Sequence, residues 1–303
     1  MTGYRRAAVH LLRGLSMGAA DVVPGVSGGT IALLLGIYDR LIGSIREGSR
    51  ALGLLIRGDL RGSLARAGSV EWTFLLPLLA GVAVAVTALA GPIEAGLADH
   101  PQPMAGLFLG LVLASIVIAW RIPGSWTPGR MGLTAVVAMV LFMALGWQTG
   151  PVTNPSAPAL FASGAVAICA MILPGISGAF LLLMLGMYGH VLGAVDDRLF
   201  GDLALFGLGA IAGLAMFSTL LGRLLERHHD LVLAALIGLM VGSLRVLWPW
   251  PNGVGVINRE SSEVVSGSAL GWPSATEFQV PLLLAVSAMA IVLGLDSLSR
   301  RRP

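Results

Sequence analysis

Lysine is absent from this 303-residue sequence, cysteine occurs once (Cys169), and charged residues amount to only 12%. One thiol permits no internal disulfide, and nowhere do His, Cys, Asp and Glu recur at metal-ligand spacing, so no metal or cofactor is expected. So little charge excludes an ordinary soluble domain, in which about a quarter of residues are charged. The positive side of the +3 net charge is arginine alone. Those arginines lie mostly between apolar runs and form no basic stripe, so no nucleic-acid surface is expected. Polar positions at a period of 3.6, the mark of a soluble helical bundle, are nearly missing from the apolar runs.

What fills the chain is apolar: 56% hydrophobic residues and a mean hydropathy of +0.85. Runs of spanning length recur at about 73–91, 103–121, 131–149, 203–222, 230–248 and 280–298. Each approaches the ~20 residues that cross a bilayer as a helix. Arg5 and Arg6 before an apolar stretch resemble a signal peptide, but Arg13 and Asp21 interrupt it and no small-residue cleavage site follows. The segment is therefore expected to be retained.

The sequence repeats itself. Asp21-Val-Val-Pro24-Gly25-Val26-Ser27-Gly28-Gly29-Thr30, followed by Gly36-Ile37-Tyr38, matches Met171-Ile-Leu-Pro174-Gly175-Ile176-Ser177-Gly178-Ala179-Phe180, followed by Gly186-Met187-Tyr188, at an offset of 150 residues. Gly110, Ser115 and Trp120 parallel Gly238, Ser243 and Trp248, and Leu133 to Met139 parallels Leu283 to Met289. Three matches in one order read as a duplication with halves 1–150 and 151–303.

Loop charge orients the halves, because arginine-rich loops stay inside. Segment 46–72 carries Arg46, Arg50, Arg57, Arg61 and Arg66 against three acids and is expected to be a cytoplasmic loop. Segment 92–102, with Glu94 and Asp99, belongs outside; Arg121 and Arg130 return the next loop inside; Thr149–Ser156 falls outside. Asp196, Asp197 and Asp202 and the acidic stretch 249–279 suit the outer face, His228-His229 a short inner loop, and Arg300–Arg302 the inside. Both termini are then cytoplasmic. The expected fold is an all-α integral membrane protein of two inverted-topology repeats, each a broken-helix hairpin plus three transmembrane helices. The hairpins are either re-entrant or two short spans.

Each hairpin breaks at Pro-Gly-x-Ser-Gly: Pro24 and Gly25, Pro174 and Gly175. Proline lacks an amide donor and glycine admits turn dihedrals. Irregular backbone at membrane depth survives only inside protein or beside a polar cavity, and paired breaks in inverted halves point to a transport site. After each break a helix is expected to start at Gly28 and Gly178, with Ser27 and Ser177 as N-caps and amides facing the break, an arrangement suited to an anion. Kinks that merely let helices pack closely are the alternative. Asp21, a carboxylate in an apolar run, is a candidate proton carrier or a partner for Arg13. Arg245, expected within the span 230–248, either reaches the anion or snorkels to the interface. His10 is expected at the interface, and Tyr38 and Tyr188 as aromatic anchors ending the returning helices. No catalytic set accompanies Ser27: no histidine is expected near it, and there is no phosphate-binding loop with Gly-Lys-Ser.

At these residues the chain resembles a known family. Gly14-Leu-Ser-Met17-Gly18-Ala-Ala-Asp21-Val-Val-Pro24-Gly25-Val-Ser27-Gly28-Gly29-Thr30, with Gly36-Ile37-Tyr38, His100-Pro101 and Leu173-Pro174-Gly175-Ile176-Ser177-Gly178, is similar to domain-of-unknown-function family 368. It departs at Ala179, where a small hydroxyl residue is expected. The resemblance covers essentially the whole chain. It implies a transporter in the bacterial inner membrane that returns undecaprenyl phosphate, or a related polyprenyl phosphate, to the cytoplasmic leaflet for envelope synthesis. Ser27, Gly28, Gly29, Thr30, Ser177 and Gly178 would then bind the phosphate, Arg13 or Arg245 offset its charge, and Asp21 accept a coupling proton or pair with a cation. Homo-oligomerisation stays open. A channel or exporter for a small inorganic anion would use the same amides, whereas a lipid phosphatase would need an acid–base or metal set that is not found.

Overall fold

The computed structural model describes residues 3–22, 27–146, 152–250, 270–274 and 277–300. Twelve helices and no strand occur among the described residues. They are α1 (Gly3–Asp21), α2 (Gly28–Leu34), α3 (Tyr38–Ile56), α4 (Leu60–Gly68), α5 (Trp72–Asp99), α6 (Pro101–Ala119), α7 (Pro128–Ala144), α8 (Ala157–Ile172), α9 (Gly178–Met184), α10 (Tyr188–Asp196), α11 (Phe200–Ser243) and α12 (Gln279–Arg300). Four described helices, α5, α6, α11 and α12, are long and apolar enough to cross a membrane, and the pair α9–α10, bent by 113°, makes a fifth candidate if taken as one span. At 1.5 Å per residue the 44 residues of α11 would extend roughly 66 Å, about twice a hydrocarbon core. Non-helical dihedrals at His228 (φ −138°, ψ 45°) divide it into two segments. The expected inner loop at His228-His229 is thus a kink between helical segments. Large apolar side chains left exposed, such as Val136, Val140 and Met143 on α7 and Met216 on α11, form the kind of surface that lipid covers. The chain is a multi-pass membrane protein.

Segment 46–72 is not the loop its charge suggested. Most of it is helical, the end of α3 followed by α4, which starts where Asp59 accepts a hydrogen bond from the Gly62 amide at 2.8 Å. Along α3, Tyr38, Ile42, Ser44 and Ala51 are buried, while Arg40, Arg46, Glu47 and Arg50 are partly buried and held in ion pairs, so charge and helix coexist.

Glycine sets the closest helix crossings. A Cβ at Gly14 would strike the Leu78 carbonyl and one at Gly81 the Leu11 carbonyl, which seats α1 directly on α5. Gly164 against Phe206 and Gly209 against Phe161 seat α8 on α11 in the same way. Gly106 and Gly110 lie on α12 at Pro281 and Ala285, and Gly238 and Gly242 lie on α7 at Thr134 and Ala138. Such close approach is how helices associate where no hydrophobic force separates protein from lipid.

The seven-residue helices α2 and α9 stop alike. Beyond each, Gly36 (φ +64°) and Gly186 (φ +69°) adopt left-handed backbone. The Gly36 and Ile37 amides donate to the Leu33 and Ala32 carbonyls, and the Gly186 and Met187 amides to those of Leu183 and Leu182. Both are Schellman stops, which require glycine at that position. The largest buried cluster, with Ala32, Tyr38, Phe74, Leu78, Leu233, Ile237 and Met240, gathers where α2, α3, α5 and the second segment of α11 meet.

Candidate functional site

The helix that follows the first break begins at Gly28, as its sequence implies. Its N-cap Ser27 has extended backbone, and its Oγ accepts from the Gly29 amide at 3.1 Å. The Gly28 amide donates to Oδ1 of Asp21, the last residue of α1, at 2.6 Å, and the Thr30 amide donates to the Ser27 carbonyl at 2.9 Å. A Cβ on Gly28 would lie 2.6 Å from the other Asp21 oxygen, and one on Gly29 would run into the Ile172 carbonyl. Glycine at 28 and 29 therefore serves close approach. The amides expected to await an anion here are occupied, and the anion at this helix start is the Asp21 carboxylate. Pro24, Gly25 and Val26 lie outside the described residues.

The second break meets the first. Helix α8 ends at Ile172, and its last carbonyls have no partner within the helix. Ser27 Oγ donates to the Met171 carbonyl at 3.0 Å, and the Tyr38 hydroxyl donates to the Ile172 carbonyl at 3.2 Å. Beyond Pro174, Gly175 takes left-handed backbone (φ +84°) and rests on the backbone of Met240. Its amide donates to Thr30 Oγ1 at 3.0 Å. Ser27, Thr30 and Tyr38 are each at most 2% exposed. Three hydroxyls of one half thus satisfy backbone groups of the other. Ser177 is the N-cap of α9 but gives no side-chain cap bond and is partly exposed, while Gly178 behind it is buried against Ala167 and Met171.

Ser27, Gly28, Gly29, Thr30 and Asp21 therefore form one cluster with Gly175, adjoining Ser177 and Gly178. The two arginines stand apart from these bonds. Arg13 precedes Asp21 by eight residues of one helix, about 12 Å along the axis. No ion pair joins them among the described residues, and Asp21 turns to Gly28 instead. Helix α11 ends at Ser243, so Arg245 lies just past it. Its guanidinium sits 4.9 Å over the Phe142 ring and beside Gly146, at the C-terminal, negative end of α7. Tyr38 does not end a returning helix at the interface: it begins α3 and is buried with its hydroxyl on α8. His10 is likewise buried, edge-on to Phe74 at 5.1 Å, because α1 packs tightly on α5.

A second polar region lies where α3, α4, α5 and the His228 kink come together. Arg40 pairs with Glu71 (2.5 Å) and stacks on Phe74, Arg46 pairs with Glu226, and Glu47 binds Arg50 (2.5 Å) and Arg66 (3.0 Å). Asp39 lies 3.3 Å from His229. Asp39, Arg40, Arg46, Glu47, Glu71 and Glu226 are among the residues bounding a cavity of about 380 Å³. Partial burial pushes the Glu47 carboxyl up, but hydrogen bonds and charge from Arg50 and Arg66 outweigh it and hold the group below its usual 4.5.

Chemically the break region holds hydrogen-bonding hydroxyls and amides. Gly25-Val26-Ser27-Gly28-Gly29 spells the letters of a hydrolase nucleophile elbow, but the Ser27 hydroxyl bonds a carbonyl and an amide rather than a base. No group of three metal-ligating side chains occurs among the described residues.

Comparison with known proteins shows the family. Residues 17–265 match the family model described as VCA0040-like, undecaprenyl phosphate translocase-like. A protein of Vibrio cholerae serotype O1 named polyprenyl-phosphate transporter is 37% identical, with 96% of each chain covered. One of Staphylococcus aureus with the same name is 32% identical over 80% of this chain and 86% of its own length. No solved structure matches the chain.

Proposed function

This chain belongs to the undecaprenyl phosphate translocase-like family, and from that membership we propose that it carries undecaprenyl phosphate, or a related polyprenyl phosphate, across the bacterial inner membrane. It is a transporter and not an enzyme. The single observation that carries the site is the meeting of the two breaks, with Ser27, Thr30 and Tyr38 bonded to Met171, Gly175 and Ile172. Irregular backbone from both halves converges there, where an anion could be held by dipoles without a full charge in lipid.

Two inverted repeats supply the framework in this reading. The matching crossings Gly14–Leu78 with Gly81–Leu11, and Gly164–Phe206 with Gly209–Phe161, support it. So does the exchange of partners, in which α6 pairs with α12 and α7 with the second segment of α11. The headgroup passes the junction, and both termini face the cytoplasm.

Asp21 provides the coupling. Its carboxylate already holds the start of α2, and a phosphate brought to the same amides would face like-charge repulsion in a medium that screens poorly. A proton on Asp21 weakens its hold on Gly28 and frees that amide for phosphate, with Ser177 and Gly178 adding theirs from the other half. Arg245 and Arg13 act at the periphery. The test is leaflet exchange of labelled polyprenyl phosphate in proteoliposomes across a pH series, wild type against Asp21→Asn. The variant should transport with little dependence on pH. A pH profile unchanged from wild type would remove Asp21 from the mechanism. Transport of inorganic phosphate in place of the lipid would recast the protein as a small-anion carrier.

A further inference from the structure

The break region is polar, but a polyprenyl phosphate is mostly hydrocarbon, and the structure offers a place for it. Between α8 and the first segment of α11 runs a groove of about 600 Å³. Phe161, Cys169, Leu173, Ile176, Met216 and Leu220 are among its walls, and none of its lining residues carries a charge or a hydroxyl. The Cys169 thiol is turned to the Gly213 carbonyl (3.6 Å) and adds no polar demand.

We propose that this groove seats the isoprenoid chain of the transported lipid while its phosphate sits where the second break meets the first, an inference that rests on the transport reading above. Continuity is the first argument. Leu173 and Ile176 line the groove and also flank Pro174 and Gly175, with Ser177 next along the chain. A molecule lying in the groove therefore reaches the break with one end. Shape is the second. A Cβ on Gly213 would come within 2.7 Å of the Ala165 backbone, so α8 and α11 meet main chain to main chain there. Small residues there (Ala165, Ala212, Gly213) lie between Phe161 on one side and Met216 and Phe217 on the other. A chain with regular methyl branches fills such a relief better than a straight acyl chain, because each unfilled methyl-sized gap forfeits dispersion contacts. The groove thus selects for the lipid's tail, and the break for its phosphate.

The test uses the full-length protein in phosphatidylglycerol-containing vesicles and a polyprenyl phosphate with a diazirine in its chain. Photolabel should map to peptides holding Val166, Cys169 and Met216, and excess unlabelled polyprenyl phosphate should remove it. Removal by an equal excess of phosphatidylglycerol would reduce the groove to a general lipid seam and overturn the proposal. Ala212→Phe should slow transport of the long lipid by about tenfold, an effect in the range of overfilling a packed space. A two-isoprene phosphate should still cross at the wild-type rate. Equal rates for both lipids in variant and wild type would overturn the groove and leave the transport reading standing. A wild type that moves neither lipid would overturn both. Should Ala212→Phe lose both lipids, the labelling map alone decides.

Discussion

Replacing Thr30 by valine tests the junction at its narrowest point. The two side chains have nearly the same shape, so no cavity opens; what disappears is Oγ1, the acceptor for the Gly175 amide at 3.0 Å. Thr30 is 1% exposed and Gly175 is buried, so water has no easy route to replace the bond. An amide left unsatisfied in such a place costs about 1–3 kcal/mol, equivalent to roughly 5- to 150-fold in the local closing equilibrium. Hydrogen–deuterium exchange read by mass spectrometry suits this change. The peptide containing Gly175 should exchange faster in Thr30→Val by a factor in that range, while Thr30→Ser, which keeps the hydroxyl, stays close to wild type. Transport should fall in the valine variant and recover with serine. Unchanged exchange at Gly175 in Thr30→Val would refute the reasoning, as would a serine variant as open as the valine one, since shape rather than the bond would then hold the halves together.

Two further outcomes follow from the same description. Tyr38→Phe removes the donor to the Ile172 carbonyl and should cost about 0.5–1.5 kcal/mol, seen as a fall of a few degrees in the unfolding midpoint, with the double variant Tyr38→Phe/Thr30→Val departing from additivity because both act on one junction. Glu47 is held below its usual pKa, so its contribution is fully present above pH 4.5 and is lost as pH falls through the lowered value. The stability gap between wild type and Glu47→Gln should accordingly be constant near neutrality and narrow as pH falls below 4.5; a gap that does not depend on pH anywhere in the acid range would count against the arginine pairing.

Much of this architecture was legible in the residues. The long apolar runs correspond to α5, α6, α7, the two segments of α11 and α12, because twenty apolar residues leave a chain in lipid little alternative to a helix. The helix starts at Gly28 and Gly178 were legible too, since Ser-Gly after Pro-Gly combines a break with a cap. The partners of those caps were not. That Ser27 would reach Met171, and Thr30 reach Gly175, depends on how two distant segments meet, and no local pattern encodes it. Tyr38 was misread because an aromatic near a span's end has a common explanation at the interface; its position in the repeat beside Gly36-Ile37 was the signal that tied it to the break. Segment 46–72 carries a loop's share of charge, yet Arg46 and Arg50 sit on α3 and Arg66 on α4, where Glu47 and Glu226 pair with them. Arg245 was placed within its span because the apolar run continues past Ser243, where the helix itself stops.

The glycine crossings carry a mechanical consequence. With Gly14 and Gly81 bedded in each other's helices, and Gly164 and Gly209 likewise, neither member of a pair can roll without driving main chain into main chain. Each pair is in effect a single stiff beam. Bending must then fall to the short links α2 and α9, less than two turns each and stopped by a left-handed glycine. A machine of this design would open by hingeing small pieces between rigid struts, so that little mass moves when the headgroup changes sides.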